Sequence, residues 1–336
     1  MEAKTDRARV DFLTYSSRSG STFLAKKISE TFGVLMVPEH RIGFDLVLAS
    51  DSAVEPAVVL ERARRDEQMT WVKEADWHEF LDAGPKSPAD VMRFIGEVYA
   101  RDIGADTGLD QVHKLGDILH LWTHVRRHFP DAHAINLVRD GRAVVNSMLH
   151  TPYPYPRYPG EMMAQGDLWK CASIWARDID VAQQVSTNFP GSVFTVRYED
   201  LLADLESEMA LLEGHMNWNR APGSEFRVAQ AEQRIHRLAD REPQAARSEA
   251  WKVELTADQI TLIEWRAGSA LERLEYLEHV PGVDSCALSV ARGYVKHVST
   301  QLRSVWPRVR TLGTVAEIRR SLRYRAARRR GRSDAF

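Results

Sequence analysis

The stretch Val10-Asp11-Phe12-Leu13-Thr14-Tyr15-Ser16-Ser17-Arg18-Ser19-Gly20-Ser21-Thr22-Phe23-Leu24 decides the fold. Val10 to Tyr15 is a short run rich in β-formers, then small and polar residues surround one arginine, and a helical pattern begins near Thr22. The spacing predicts a strand, a tight loop and a helix start. Such a loop is an anion site, because the first N–H groups of a helix lack intrahelical partners and the macrodipole puts partial positive charge there. Gly20 lets the backbone approach a phosphate, Ser19, Ser21 and Thr22 add hydroxyl donors, and Arg18 brings a planar charged fork.

The nucleotide-triphosphate loop Gly-x-x-x-x-Gly-Lys-Ser/Thr fits poorly. Ser16 stands at the first glycine position, and no lysine lies between Gly20 and Ser21-Thr22. ATP and GTP are therefore disfavoured. A second segment, Ala134-Ile135-Asn136-Leu137-Val138-Arg139-Asp140-Gly141-Arg142-Ala143-Val144-Val145-Asn146-Ser147, reads as a buried strand running into a helix. It puts Arg139 at the strand end and Ser147 about two turns into the helix, where the two can converge on one anion.

The loop at Ser16–Leu24 resembles the 5′-phosphosulfate loop of sulfotransferases that use 3′-phosphoadenosine 5′-phosphosulfate (PAPS), Ser-x-Arg/Lys-Ser-Gly-Ser/Thr-Thr-x-Leu. The second segment resembles their 3′-phosphate motif, Leu-Val-Arg-Asp-Pro/Gly-Arg-Ala-x-x-x-Ser. The resemblance runs over roughly Val10 to Leu277. It implies an α/β fold like that of P-loop proteins, a central parallel sheet flanked by helices, with the nucleotide at the carboxyl ends of the strands. It also implies that Arg18, Ser19, Gly20, Ser21, Thr22 and Phe23 cradle the 5′ end of PAPS while Arg139 and Ser147 grip its 3′-phosphate. PAP would be the product, and no metal is needed.

Looser similarities add further candidates. Glu39, in Pro38-Glu39-His40 after the predicted strand Val34–Val37, resembles the glutamate that carbohydrate-type sulfotransferases use as a base. Lys114 matches a lysine on a short strand that would neutralise charge on the sulfuryl oxygens. Tyr198, in Tyr198-Glu199-Asp200-Leu201, is the expected adenosine contact. Arg247 and Lys252 resemble a late basic segment that closes over the nucleotide, although the usual glycines are missing. The implied reaction is sulfuryl transfer to an acceptor hydroxyl, on a carbohydrate or glycolipid, with a small alcohol or secondary metabolite as the alternative. A P-loop kinase and a non-catalytic PAP binder are the competing classes, and nucleic acid is not among the expected partners.

The rest of the chain supplies context. Asp51 to Asp82 reads as helical, with Trp71 and Trp77 packing, and Pro88 opens another helix. The tyrosines of Thr151 to Pro159 either line an acceptor pocket or only connect two helices. His113, His120, His124, His128 and His133 make no recognisable zinc pattern. Two cysteines are too few for a disulfide framework, and no apolar run is long enough for a bilayer, so a cytoplasmic protein is expected. The net charge of −2 conceals an asymmetry: Arg292 to Phe336 carries thirteen Lys/Arg against two Asp/Glu, leaving the remainder acidic by a similar margin. Two units are accordingly expected, a catalytic domain over residues 1–281 and a basic helical extension over 282–336. The extension would lie on an anionic membrane surface, bind an acidic polymer, dock on the acidic body of a second subunit or stay solvated.

Overall fold

The computed structural model describes residues 8–48, 54–66, 68–69, 71–72, 86–153, 160–221, 224–227 and 248–310, with the backbone alone at 56, 283–285 and 303–310. Five strands form one sheet: β1 (Val10–Tyr15), β2 (Val34–Val37), β3 (Asp110–Lys114), β4 (Ala134–Val138) and β5 (Val193–Arg197). The spatial order is β2-β3-β1-β4-β5, and every neighbouring pair is parallel. The helices are α1 (Ser21–Thr31), α2 (Ile42–Val47), α3 (Pro56–Arg64), α4 (Pro88–Ile103), α5 (Trp122–His128), α6 (Gly141–Leu149), α7 (Leu168–Asn188), α8 (Tyr198–Ala203), α9 (Leu205–Met216), α10 (Trp251–Glu254), α11 (Ala257–Arg273) and α12 (Val283–Arg310).

Strands β1, β2 and β4 are buried along their whole length, which explains their near-continuous apolar sequences. Alternate residues face two cores. Val10, Phe12, Leu35 and Val37 pack with α2, α4 and α5, whereas Leu13, Tyr15, Val34 and Met36 pack with α1, α8 and α9. A third cluster joins Val144 and Met148 of α6 to Trp175 of α7 and to Trp251, Ile263 and Leu271 of α10 and α11. The chain leaves β1 toward β2 on one side and returns to β4 on the other. The loop after β1 therefore sits at the switch point where an open α/β sheet binds its ligand.

One expectation is corrected. The helix read across Asp51–Asp82 is confined, among the described residues, to α3, which ends at Arg64. The cause is Asp66, whose carboxylate accepts the N–H groups of Gln68 (3.1 Å) and of Arg41 (2.6 Å) and so offers the backbone an alternative to the helix. In the C-terminal part, expected to be helical over 282–336, α12 begins at Val283 and packs on α7 and α11. Trp71 is buried against Tyr99, as expected for a packing residue; Trp77 lies outside the described residues.

Candidate active site

The loop between β1 and α1 is built around two left-handed residues, Arg18 at φ 74° and Gly20 at φ 96°. Arg18 is held in this costly conformation from two sides. Its Nε donates to Ser147 Oγ (3.1 Å), and its carbonyl accepts from Arg139 Nη1 (3.3 Å). The three residues that the sequence assigned to the two ends of the nucleotide thus meet in one cluster. At Gly20, a Cβ would stand 2.4 Å from Cε2 of Tyr198, so only glycine lets that ring close over the loop. Arg139 stacks on the other part of the assembly, its guanidinium 4.8 Å from the centroid of the Tyr198 ring. Burial lowers the Arg139 pKa, and Tyr198 and Glu199 act in the opposite direction. The guanidinium remains a permanent cation.

The loop fits a phosphate on its own chemistry. The Oγ of Ser19 and the Oγ1 of Thr22 are buried and find no hydrogen-bond partner among the described residues. Buried hydroxyls left this way imply a ligand that accepts from them. Ser21 and Thr22 occupy the first turn of α1, where the N–H groups point outward. Phe23 packs edge-on against Tyr198, with centroids 6.4 Å apart.

The neighbouring strand ends complete the site. Tyr15, the last residue of β1, donates its hydroxyl to Glu39 Oε2 (2.6 Å), and Lys114, the last residue of β3, places its Nζ 3.6 Å from the same oxygen. The Lys114 side chain is only 2% exposed, and its Nζ stands 4.8 Å from the centre of the Tyr15 ring. A buried ammonium is costly unless paired, so Lys114 is no surface residue. Glu39 itself is partly exposed. All five strands thus deliver a candidate residue at their carboxyl ends: the loop after β1, Glu39 after β2, Lys114 on β3, Arg139 after β4 and Tyr198 after β5.

Behind this row runs a chain of neutral histidines, His40 and His113, that the sequence did not single out as a pair. The Gly43 N–H donates to His40 Nδ1 (3.1 Å), which makes His40 Nε2 the donor to His113 Nδ1 (2.9 Å). His113 Nε2 then donates to Gln111 Oε1 (3.1 Å), and the Gln111 amide donates to the Arg93 carbonyl (2.9 Å). Both rings are fully buried, and burial lowers the His40 pKa to about 3 and that of His113 well below its ordinary value. The chain ties His40, next to Glu39, to His113, next to Lys114.

Other contacts were also missed. Glu199 accepts from the Asp140 N–H (3.1 Å) and from the Tyr276 hydroxyl (2.6 Å), fixing the start of α6. Arg142 forks onto Asp140 and Glu264 (both 2.9 Å), donates to the Tyr276 carbonyl and stacks 4.1 Å from the Trp251 ring. A small cavity under the loop holds His120 Nε2 2.9 Å from Asp178 Oδ1, while Ser16 Oγ donates to Asp178 Oδ2 (3.1 Å). Asp178 comes from α7, so only tertiary contact reveals it. With Asp117, these two residues form the one grouping of metal-ligand type among the described residues, all within 4.8 Å. Lys252 is not brought to the cluster: it pairs with Glu249 (2.5 Å) and lies near Trp251. Arg247 and residues 154–159 of the proline-rich loop lie outside the described residues.

A family model described as "Sulfotransferase family" matches residues 12–222. The chain belongs to the sulfotransferase family. Among solved structures it is similar to the sulfotransferase domain from the curacin biosynthetic pathway, with TM-score 0.51 and 13% identity, over 82% of this chain and 99% of that one. It is also similar to the sulfotransferase domain of the Synechococcus PCC 7002 olefin synthase (0.42, 19% identity, 79% and 96%). A third is mouse sulfotransferase SULT7A1 complexed with PAP (0.36, 12% identity, 80% and 83%). A sequence search of curated proteins finds no match. Membership makes this sulfotransferase an enzyme of sulfuryl transfer acting on an acceptor substrate.

Proposed function

We propose that this sulfotransferase transfers the sulfuryl group of PAPS to an acceptor hydroxyl on a carbohydrate or glycolipid. The observation that carries the reading is the meeting of Arg18, Arg139 and Ser147 beside the Glu39–Tyr15–Lys114 group. Ser19, Gly20, Ser21 and Thr22 would hold the 5′ end of the donor, Arg139 and Ser147 its 3′-phosphate, and the Tyr198 and Phe23 rings its base. Bound there, PAPS supplies an electrophilic sulfur and a phosphate leaving group. Glu39 accepts the proton of the acceptor hydroxyl, a role worth about a hundred- to ten-thousand-fold in rate. The Tyr15 hydroxyl and Lys114 ammonium fix the Glu39 carboxylate, and Lys114 with Arg18 offsets negative charge that spreads over the sulfuryl oxygens.

The position of Glu39 just past β2 supports the carbohydrate acceptor, since carbohydrate-type sulfotransferases carry a glutamate in that place. The missing loop lysine argues against a kinase. Titration calorimetry with PAP and with ATP–magnesium tests the donor site: tight binding of PAP is expected, and tight binding of ATP–magnesium with PAP ignored refutes it. Glu39→Gln should keep PAP affinity while turnover collapses, and unchanged turnover removes Glu39 from the reaction. Incubation with labelled PAPS and fractionated extracts identifies the acceptor; label appearing solely in small alcohols would replace the carbohydrate assignment.

A further inference from the structure

The helix α12 carries two opposite faces. On the inner one, Cys286 is buried, Gly293 lies so close to Leu262 that a Cβ would stand 2.4 Å from Cδ2, and Tyr294 packs 5.4 Å from the Trp169 ring. His297 Nδ1 sits 2.6 Å from Asp167 Oδ2, and Gln301 donates to the same oxygen (3.2 Å). At 3.6 residues per turn, Leu288, Ala291, Val295, Val298 and Leu302 fall on the opposite side. Leu288 is 64%, Val295 67% and Leu302 68% exposed. Arg292 and Lys296 line one flank of this stripe, and both are exposed. In the sequence the seven-residue spacing continues, with Val305 and Val309 following Val298 and Leu302, and Arg303 and Arg310 following Lys296.

We propose that the outer face of α12 docks on an anionic lipid surface, with the aliphatic stripe at the boundary of headgroups and acyl chains and the basic flank among the phosphates. An aliphatic stripe edged by lysine and arginine is the pattern of a helix lying in a membrane interface. Among the described residues no helix is long and apolar enough to cross a membrane. A second copy of the chain is a poorer occupant. Pairing α12 with itself sets basic flanks side by side, and among the described residues the large exposed apolar side chains off α12 are Val58, Tyr153, Leu211, Val253 and Val280, which offer the stripe little apolar surface. A soluble polyanion would engage the charges but leave the stripe in water. No residue of α12 takes part in the reaction proposed above, so the two readings are tested separately.

The test is flotation of the full chain with vesicles of phosphatidylcholine, alone or mixed with phosphatidylglycerol. The wild type is expected on the mixed vesicles only, with binding that falls as salt rises. Leu288→Ser/Val295→Ser/Leu302→Ser should weaken binding by at least about tenfold, since each step removes buried apolar area from the bound state. Arg292→Gln/Lys296→Gln should weaken it and flatten its salt dependence. Circular dichroism and melting are expected to be unchanged because the substituted side chains are exposed, and Leu302→Gln alone provides a milder variant. A folded wild type that ignores mixed vesicles overturns the proposal. So does full binding by the triple variant, which would assign the contact to the basic segment after Arg310. A wild type that is dimeric and leaves vesicles untouched, with a monomeric triple variant, would assign the face to a second copy.

Discussion

Replacing His40 by Gln tests the neutral histidine chain behind Glu39 and Lys114, and the structure sets the size of the effect. Burial holds the His40 pKa at about 3 against an ordinary 6.5. The unfolded chain therefore binds a proton below pH 6.5 that the folded chain refuses. Stability from this group is fully present above that pH and is lost as the pH falls toward 3. From pH 7 to pH 5 the loss is about 2 kcal/mol, one and a half pKa units at roughly 1.4 kcal/mol each. His113 is shifted in the same direction and adds to the loss. Asp11 opposes it: burial raises its pKa from 3.8 to about 6 despite Arg9, so its contribution to stability grows as the pH falls through 6. Comparing variant with wild type removes the Asp11 contribution, because it is common to both. Gln keeps a donor toward His113 while removing the titratable ring. Urea unfolding followed by circular dichroism at pH 7, 6 and 5 should show the variant losing about 2 kcal/mol less than the wild type over that range. An equal loss in both proteins would mean that His40 is not held neutral in the fold, and the tautomer chain from Gly43 to Arg93 would be wrong.

Three further outcomes follow from the site. Arg139→Ala should weaken PAP much more than AMP in calorimetry; equal losses would contradict the 3′-phosphate assignment. Gly20→Ala forces a left-handed alanine against the Tyr198 ring, costing about 1–3 kcal/mol of backbone strain plus the displaced ring; in chemical denaturation, adding Tyr198→Ala should recover the ring's share but not the strain. Lys114→Met should lower turnover at least about a hundredfold with PAP affinity little changed, measured in the same sulfuryl-transfer assay, because it removes the cation beside Glu39 and leaves the phosphate loop intact.

The loop between β1 and α1 and the strand carrying Arg139 were legible because both are local. A strand followed at once by a tight loop or helix puts each residue at the sheet edge by chain connectivity, whatever else the protein does. Glu39 and Lys114 were legible one at a time for the same reason. That they share one carboxylate oxygen with Tyr15 was not, because β1, β2 and β3 become neighbours only through the parallel sheet: Leu13 stands opposite Lys114, and Val37 opposite His113. The same holds for the His40–His113 chain and for Asp178 beneath Ser16, whose partners lie 73 and 162 residues apart. Asp66 defeated the helical reading of its region through a side chain that competes for backbone N–H groups.

By itself the sequence determined the parallel α/β class, the two strand-to-helix segments proposed to bind anions and the charge contrast between body and tail, since each is written in neighbouring residues and their periodicity. Tertiary structure alone decided which side chains share a proton or a carboxylate and which face of the last helix is left exposed. Those depend on sheet order and helix docking, where contacts between distant segments, and not local preference, set the geometry.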